Sequence, residues 1–163
     1  MKLTVSLAAA LFAGLAYTPA YAVTDTVTIN VSGTLTRPPC TLTSSKTLTA
    51  NFGSLRYDQI ESAPEIDIPV TLTCPSNSSM NVSVKSATTY QNAPTKGYAG
   101  KSGLAYTLTW KSDATAADLT GVKRTLSKQS GTVDLGMKAK LMTVGNVTEG
   151  AFSTSAVISI EYL

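Results

Sequence analysis

Few residues in this 163-residue chain can carry chemistry, and their types exclude most reactions. Histidine is absent, so neither a Ser–His nor a Cys–His nucleophile pair can form, and a Cys/His zinc site is equally out of reach. The ten carboxylates are scattered, and the densest group is Asp58, Glu61, Glu65 and Asp67. That group fits an acidic loop running into a strand. A catalytic or calcium site is the competing reading, but a glycosidase-like pair needs a defined separation in space that such positions do not specify. Two cysteines remain, Cys40 and Cys74. The chemistry open to them is oxidation to a disulfide, with two free thiols or half a metal site as the alternatives. Trp110 closes an alternating segment and reads as core, against a sugar-stacking platform.

The compartment decides between the cysteine readings. Residues 1–22 have the features of a secretory signal: Lys2 at the start, an apolar run over residues 3–15, and Ala20-Tyr21-Ala22 as a small-x-small cleavage site. The apolar run is too short for a membrane span. Export favours the disulfide, which on the chain-entropy picture stabilises the domain by roughly 4 kcal/mol. Cleavage would leave 141 residues (163 less 22), enough for one domain with its own core. It would also take the formal charge from +3 to +2 by removing Lys2. Lys and Arg are scattered apart from Lys123-Arg124, and no basic stripe points to nucleic acid.

The elements that hold these residues read as strands. Thr, Ser, Val and Leu dominate, and short alternating runs are separated by Gly, Pro, Asn and Ser clusters, the pattern of an all-β sandwich. Strands are expected near residues 27–31, 33–42, 48–55, 66–74, 81–85, 104–110, 132–142 and 151–163. Residues 75–79 read as a turn, residues 91–103 as a loop, and the Ala-rich residues 113–118 as a short helical turn. Ile66, Ile68, Val70, Leu72 and Cys74 share one face and should be core, while Pro69 calls for an edge or a bulge. Val133, Leu135, Met137, Ala139 and Leu141 form a second inward face.

The two ends are the unusual parts. Phe152, Thr154, Ala156, Ile158, Ile160 and Tyr162 alternate along the last strand, which runs to Leu163 without sequence left to cover its far side. An apolar edge strand of that length is an aggregation hazard unless something pairs with it. At the other end Val27, Ile29 and Val31 alternate with Thr28 and Asn30, giving three β-branched side chains on one face just after the cleavage site. Taken alone, they fit an ordinary first strand of the sandwich.

Gly33-Thr34-Leu35-Thr36-Arg37-Pro38-Pro39-Cys40 resembles the Gly-x-(Val/Ile/Leu)-x-x-x-x-Cys signature of pilins assembled by the chaperone–usher pathway. Phe52-Gly53, Cys74-Pro75, Gly150 fourteenth from the end and the penultimate Tyr162 are similar to further features of that family. Leu35 and the final Leu163 depart mildly from its pattern. Given a bacterial pilin, Asn30, Asn77, Asn81 and Asn146, each of which opens an Asn-x-Ser/Thr triplet, are coincidences of a Ser/Thr-rich strand protein.

The resemblance implies an all-β, incomplete immunoglobulin-like sandwich lacking its final strand. It implies residues 23–32 as an N-terminal donor-strand extension and residues 33–163 as the pilin domain. Val27, Ile29, Val31 and Gly33 would form the donor strand. Gly150, Phe152, Thr154, Ala156, Ile158, Ile160, Tyr162 and Leu163 would edge the acceptor groove and contact the chaperone. In this family a periplasmic chaperone fills the groove first, and the extension of the next subunit then replaces it, a recognised case of strand addition. The implied partners are that chaperone, an outer-membrane usher and neighbouring pilins. No cofactor, metal, nucleic acid or small-molecule substrate is implied. The implied location is the periplasm, then a fimbria on the cell surface.

The short Val-Thr-Ile-Asn-Val extension looks more like that of minor adaptor subunits of type 1 and P pili than of rod subunits. A major rod pilin is the alternative, and a single-domain adhesin binding a host surface ligand comes after it. A small secreted hydrolase would need its activity to track the acidic group.

Overall fold

The computed structural model describes residues 24–90 and 92–163. The proposed signal segment, residues 1–22, lies outside them, as does Val23 at the head of the proposed extension. The chain divides into two units, Met1–Leu35 and Thr36–Leu163. In the first, residues 24–35 form neither strand nor helix, so the strand expected at residues 27–31 is not formed there. Val27, Ile29 and Val31 are 85%, 80% and 91% exposed.

The second unit consists of two antiparallel sheets enclosing one core. Its strands are β1 Thr41–Leu42, β2 Ile66–Ile68, β3 Thr71–Ser86, β4 Thr89–Tyr90, β5 Ala93–Tyr98, β6 Leu104–Trp110, β7 Arg124–Asp134, β8 Met137–Thr143 and β9 Ala156–Tyr162. One sheet joins β1, β9 and β7 to the long β3, and the other runs β2-β8-β6-β5-β4. Alternation builds the interior: Leu72, Met80, Val82 and Val84 point in from β3, and Leu104, Tyr106, Leu108 and Trp110 meet them from β6. Met137, Ala139 and Leu141 complete that wall from β8. Inside, the Tyr106 hydroxyl donates to Ser86 Oγ at 2.7 Å, and burial pushes that phenol's pKa up.

The expected strand at residues 66–74 divides between the sheets. Ile66–Ile68 pairs with β8, and from Thr71 the chain pairs with β7, so the crossover falls at Pro69 and Val70. Pro69 has no N–H to leave unpaired there. Its predicted inward face survives the switch: Val70, Leu72 and Cys74 are buried, and Ile68 packs on the core. The inward face expected at residues 132–142 belongs likewise to two strands, broken at Leu135 and Gly136, one in each sheet.

Several local expectations are corrected. Residues 75–79 are not a turn but an irregular stretch of β3, with register shifts on either side of Ser78 and a left-handed Asn77 (φ 62°). Asn tolerates that conformation, so the same residues that signal a turn can also bulge a strand. Residues 93–98, expected as loop, form β5. Residues 113–118 are not helical: Ala116 bridges Thr109, and Ala114 takes φ 55°. The expected strand at residues 33–42 shrinks to Thr41–Leu42, and residues 48–55 form no strand, although Leu48, Ala50, Phe52 and Leu55 pack against the core.

Cys40 and Cys74 are joined as a disulfide, which removes the free-thiol and metal readings. Both are buried, and the bond staples the segment leading into β1 onto β3.

Candidate functional site

β9 pairs with β3 from Met80↔Tyr162 to Ser86↔Ala156. Met80 also pairs with Leu126 of β7, and Leu72 pairs with both Val133 and Leu42. A strand has only two edges, so β7 takes one edge of β3, and β1 and β9 share the other, end to end. Among the described residues the outer edge of β9 has no strand beside it. Its N–H and C=O groups are therefore free to pair with an added strand.

The side chains of this segment show where the sandwich is open. Of the alternating set, Phe152, Ile158 and Ile160 pack against the core. Thr154 and Ala156 are exposed, and Tyr162 is 40% exposed. On the opposite face Val157 is 62% exposed, an outward apolar residue that the predicted alternation did not single out. Regular strand covers only Ala156–Tyr162, so Gly150, Phe152 and Thr154 approach β9 in irregular backbone, shorter than the strand expected over residues 151–163. At its far end the Leu163 N–H donates to Ser79 O at 3.0 Å.

A cavity lies at each end of this segment. One, of about 420 Å³, is lined by Leu55, Ile60, Leu104, Leu141 and Val147 together with Gly150 and Phe152. The other, of about 330 Å³, lies among Pro38, Pro39, Cys40 and Ser79 and takes in Tyr162 and Leu163. The first cavity is apolar within and charged at its rim, where Arg56, Lys101 and Glu149 stand. Lys101 Nζ donates to the Glu149 carbonyl at 2.5 Å. Gly150 has φ 121°, and a Cβ there would stand 3.0 Å from Lys101 Nζ. Any other residue would strain the backbone and press on that contact.

Leu55, the last residue of the strand expected at residues 48–55, and Ile60 were not expected at a site; they flank a 3-10 turn, Tyr57–Gln59. Leu141 was legible as a core position and Leu104 as the start of a strand, but neither as cavity lining.

The carboxylates near residue 60 do not converge. Asp58 pairs with Arg56 at 2.8 Å, Asp67 with Lys111 at 3.2 Å and Glu65 with Lys138 at 3.4 Å. Glu61 accepts from both the N–H and the hydroxyl of Thr143 at 2.6 Å. Those two bonds lower its pKa, and Lys140 adds a smaller pull in the same direction. Among the described residues no three His, Cys, Asp or Glu side chains gather as a metal site. Trp110 is buried, with the Arg124 guanidinium 5.4 Å from its ring centre and held by Asp113 at 2.7 Å.

The family model described as "Fimbrial protein" matches residues 29–163. No curated protein matches the chain. Among solved structures, the P pilus rod subunit PapA is similar with a TM-score of 0.63 at 18% identity, over 77% of this chain and all of that one. The P pilus adaptor subunit PapF gives 0.57 at 18% identity, over 77% and 97% of the two chains. The CupB6 tip adhesin from Pseudomonas aeruginosa gives 0.50 at 14% identity, over 60% of this chain and 30% of that one. At these identities the likeness is one of fold.

Proposed function

The chain belongs to the fimbrial protein family, a family of structural and not enzymatic proteins, and from that premise we propose that it is a pilus subunit of the chaperone–usher type and how it joins its neighbours. Residues 1–22 direct export. Residues 23–32 are a donor-strand extension, and residues 33–163 are a pilin domain that receives the extension of another subunit. The reading rests above all on β9: paired with β3 on one side, it has no strand on its outer side among the described residues, and its inward face is only partly covered.

In this reading an incoming strand pairs with the outer edge of β9. Phe152, Ile158 and Ile160 floor the acceptor, Thr154 and Ala156 leave room above it, and Gly150 and Leu163 mark its two ends. The extension suits the complementary role. Val27 to Gly33 is seven residues, the same length as β9, or roughly 23 Å of extended chain. Burying Val27, Ile29 and Val31 is worth about 1.5–3 kcal/mol each before ordering costs. Each main-chain hydrogen bond adds about 1 kcal/mol net. A strand held inside a partner's core leaves only when that core opens, so persistence is set by an unfolding rate.

A periplasmic chaperone occupies the acceptor first, an outer-membrane usher passes the subunit outward, and its final place is a surface fimbria. The likenesses to rod, adaptor and tip proteins do not separate these positions. The short extension Val27-Thr28-Ile29-Asn30-Val31 favours a minor or adaptor subunit over a major rod pilin.

The test is strand exchange in vitro. The exported chain lacking residues 23–32 is purified with its chaperone, and a peptide spanning residues 23–35 is added. Chaperone release with a rise in melting temperature is expected of a subunit that can cap its own kind. A chain that keeps its chaperone until another subunit's extension is supplied occupies an adaptor position. A chain that folds and stays monomeric alone would refute the open acceptor.

A further inference from the structure

We infer that Glu61 is a positioning residue for strand uptake: by clasping Thr143 it holds the wall of the 420 Å³ cavity away from its floor, so that an incoming apolar side chain finds the space open. The inference rests on the reading of β9 as the acceptor edge, with this cavity at its Gly150 end.

The wall lies outside both sheets. Leu55, Tyr57 and Ile60 line the cavity from an irregular segment around the 3-10 turn. Its backbone hydrogen bonds are local: Gln59 N–H to Arg56 O, Ser62 N–H to Gln59 O and Ala63 N–H to Ile60 O. Among the described residues the polar tie from residues 53–64 to the sheets runs through Glu61, which meets a residue 82 positions away. Thr143 is the last residue of β8 and pairs with Leu104. Leu104 and Leu141 form the floor, so the clasp joins wall to floor directly.

An apolar cavity open to water gains by closing, since closure removes apolar surface from solvent. A wall without ladder hydrogen bonds can slide inward unless something fixes its height. Glu61 does so with one oxygen receiving two donors, a charge-assisted arrangement stronger than a neutral one. Lys140 reinforces the charged state, and the charged groups lining the cavity are Arg56, which Asp58 pairs, Lys101 and Glu149.

The experiment compares the full chain in its chaperone complex as wild type, E61A, E61Q, T143V and T143S. The probes are a peptide of residues 24–35 and extension peptides of the subunits recovered with this chain from isolated filaments. Chaperone release is timed, and the melting temperature of each complex is recorded. Expected are releases roughly tenfold slower for E61A and T143V, at unchanged melting temperature, with T143S restoring the rate. Wild type should slow as pH falls through the depressed Glu61 range, while E61Q is slow throughout. Release from E61A and T143V at the wild-type rate would overturn the inference, and so would rates that merely follow melting temperature across all variants, T143S included. If the wild type exchanges with none of the peptides, the acceptor reading itself fails and the clasp with it. If the wild type exchanges and the variants match it, only the clasp fails.

Discussion

Ile29→Ala separates the donor role from an ordinary core role. In the described structure Ile29 is 80% exposed, so its truncation removes little buried surface from its own chain. In a neighbour's acceptor the same side chain would be buried against residues such as Ile158 and Ile160. An Ile→Ala change at a buried site costs about 2–5 kcal/mol, from lost transfer energy and the cavity left behind. An acceptor that partly collapses onto the gap sets the expectation near the lower end, about 2–3 kcal/mol. That is a factor of roughly 30–150 in the stability of the joined pair, at 1.4 kcal/mol per factor of ten. For a domain of this size it lowers the melting temperature of the pair by about 4–12 °C. The assay is calorimetry on two preparations: the variant bound to its chaperone, and the variant donating to a wild-type acceptor. The first should melt as wild type does, and the second should melt earlier. The reverse pattern would place Ile29 in its own core and refute the reasoning. Equal melting in both would show that the extension does not anchor through this residue.

Removing residues 160–163 takes away the Met80↔Tyr162 and Val82↔Ile160 pairings, and should abolish recovery of the chaperone complex and leave aggregated or degraded protein. Cys40→Ser with Cys74→Ser should cost about 4 kcal/mol for a bridge spanning 34 positions, read as a lower urea midpoint that reductant no longer changes. Asp113, held to about 2 first by the hydroxyl and N–H of Thr115 and then by Arg124, is a group whose folded pKa is depressed below 3.8. Its stabilisation is therefore present above about pH 4 and lost as pH falls towards 2. Asp113→Asn should flatten that part of the acid limb in urea titrations between pH 5 and 2.

Features set by neighbours within a few residues could be read along the chain. Alternation at Leu72 and Cys74, at Met137 to Leu141, and at Ile158 and Ile160 assigned strand and inward face together, because a period of two leaves each side chain one side. With only two cysteines, the disulfide had one possible pairing. The motif around Gly33 to Cys40 pointed to the fimbrial family that the match over residues 29–163 then established.

The sheet that each strand enters, and what the irregular segments enclose, depend instead on contacts far apart in the chain. Pro69 and Gly136 mark breaks in the sequence, but the partners on either side, β8 and β7, are chosen by packing over tens of residues. Pro75 to Ser79 carries every local sign of a turn, yet the ladder with β7 carries it through as a bulged strand. The cavity had no sequence signature, for its lining comes from residues 55–60, 101–104, 141 and 147–152. Those residues share no local pattern. They meet only because two sheets and a 3-10 turn close around one end of the core, and non-local contacts of that kind are selected by the energy of the whole fold.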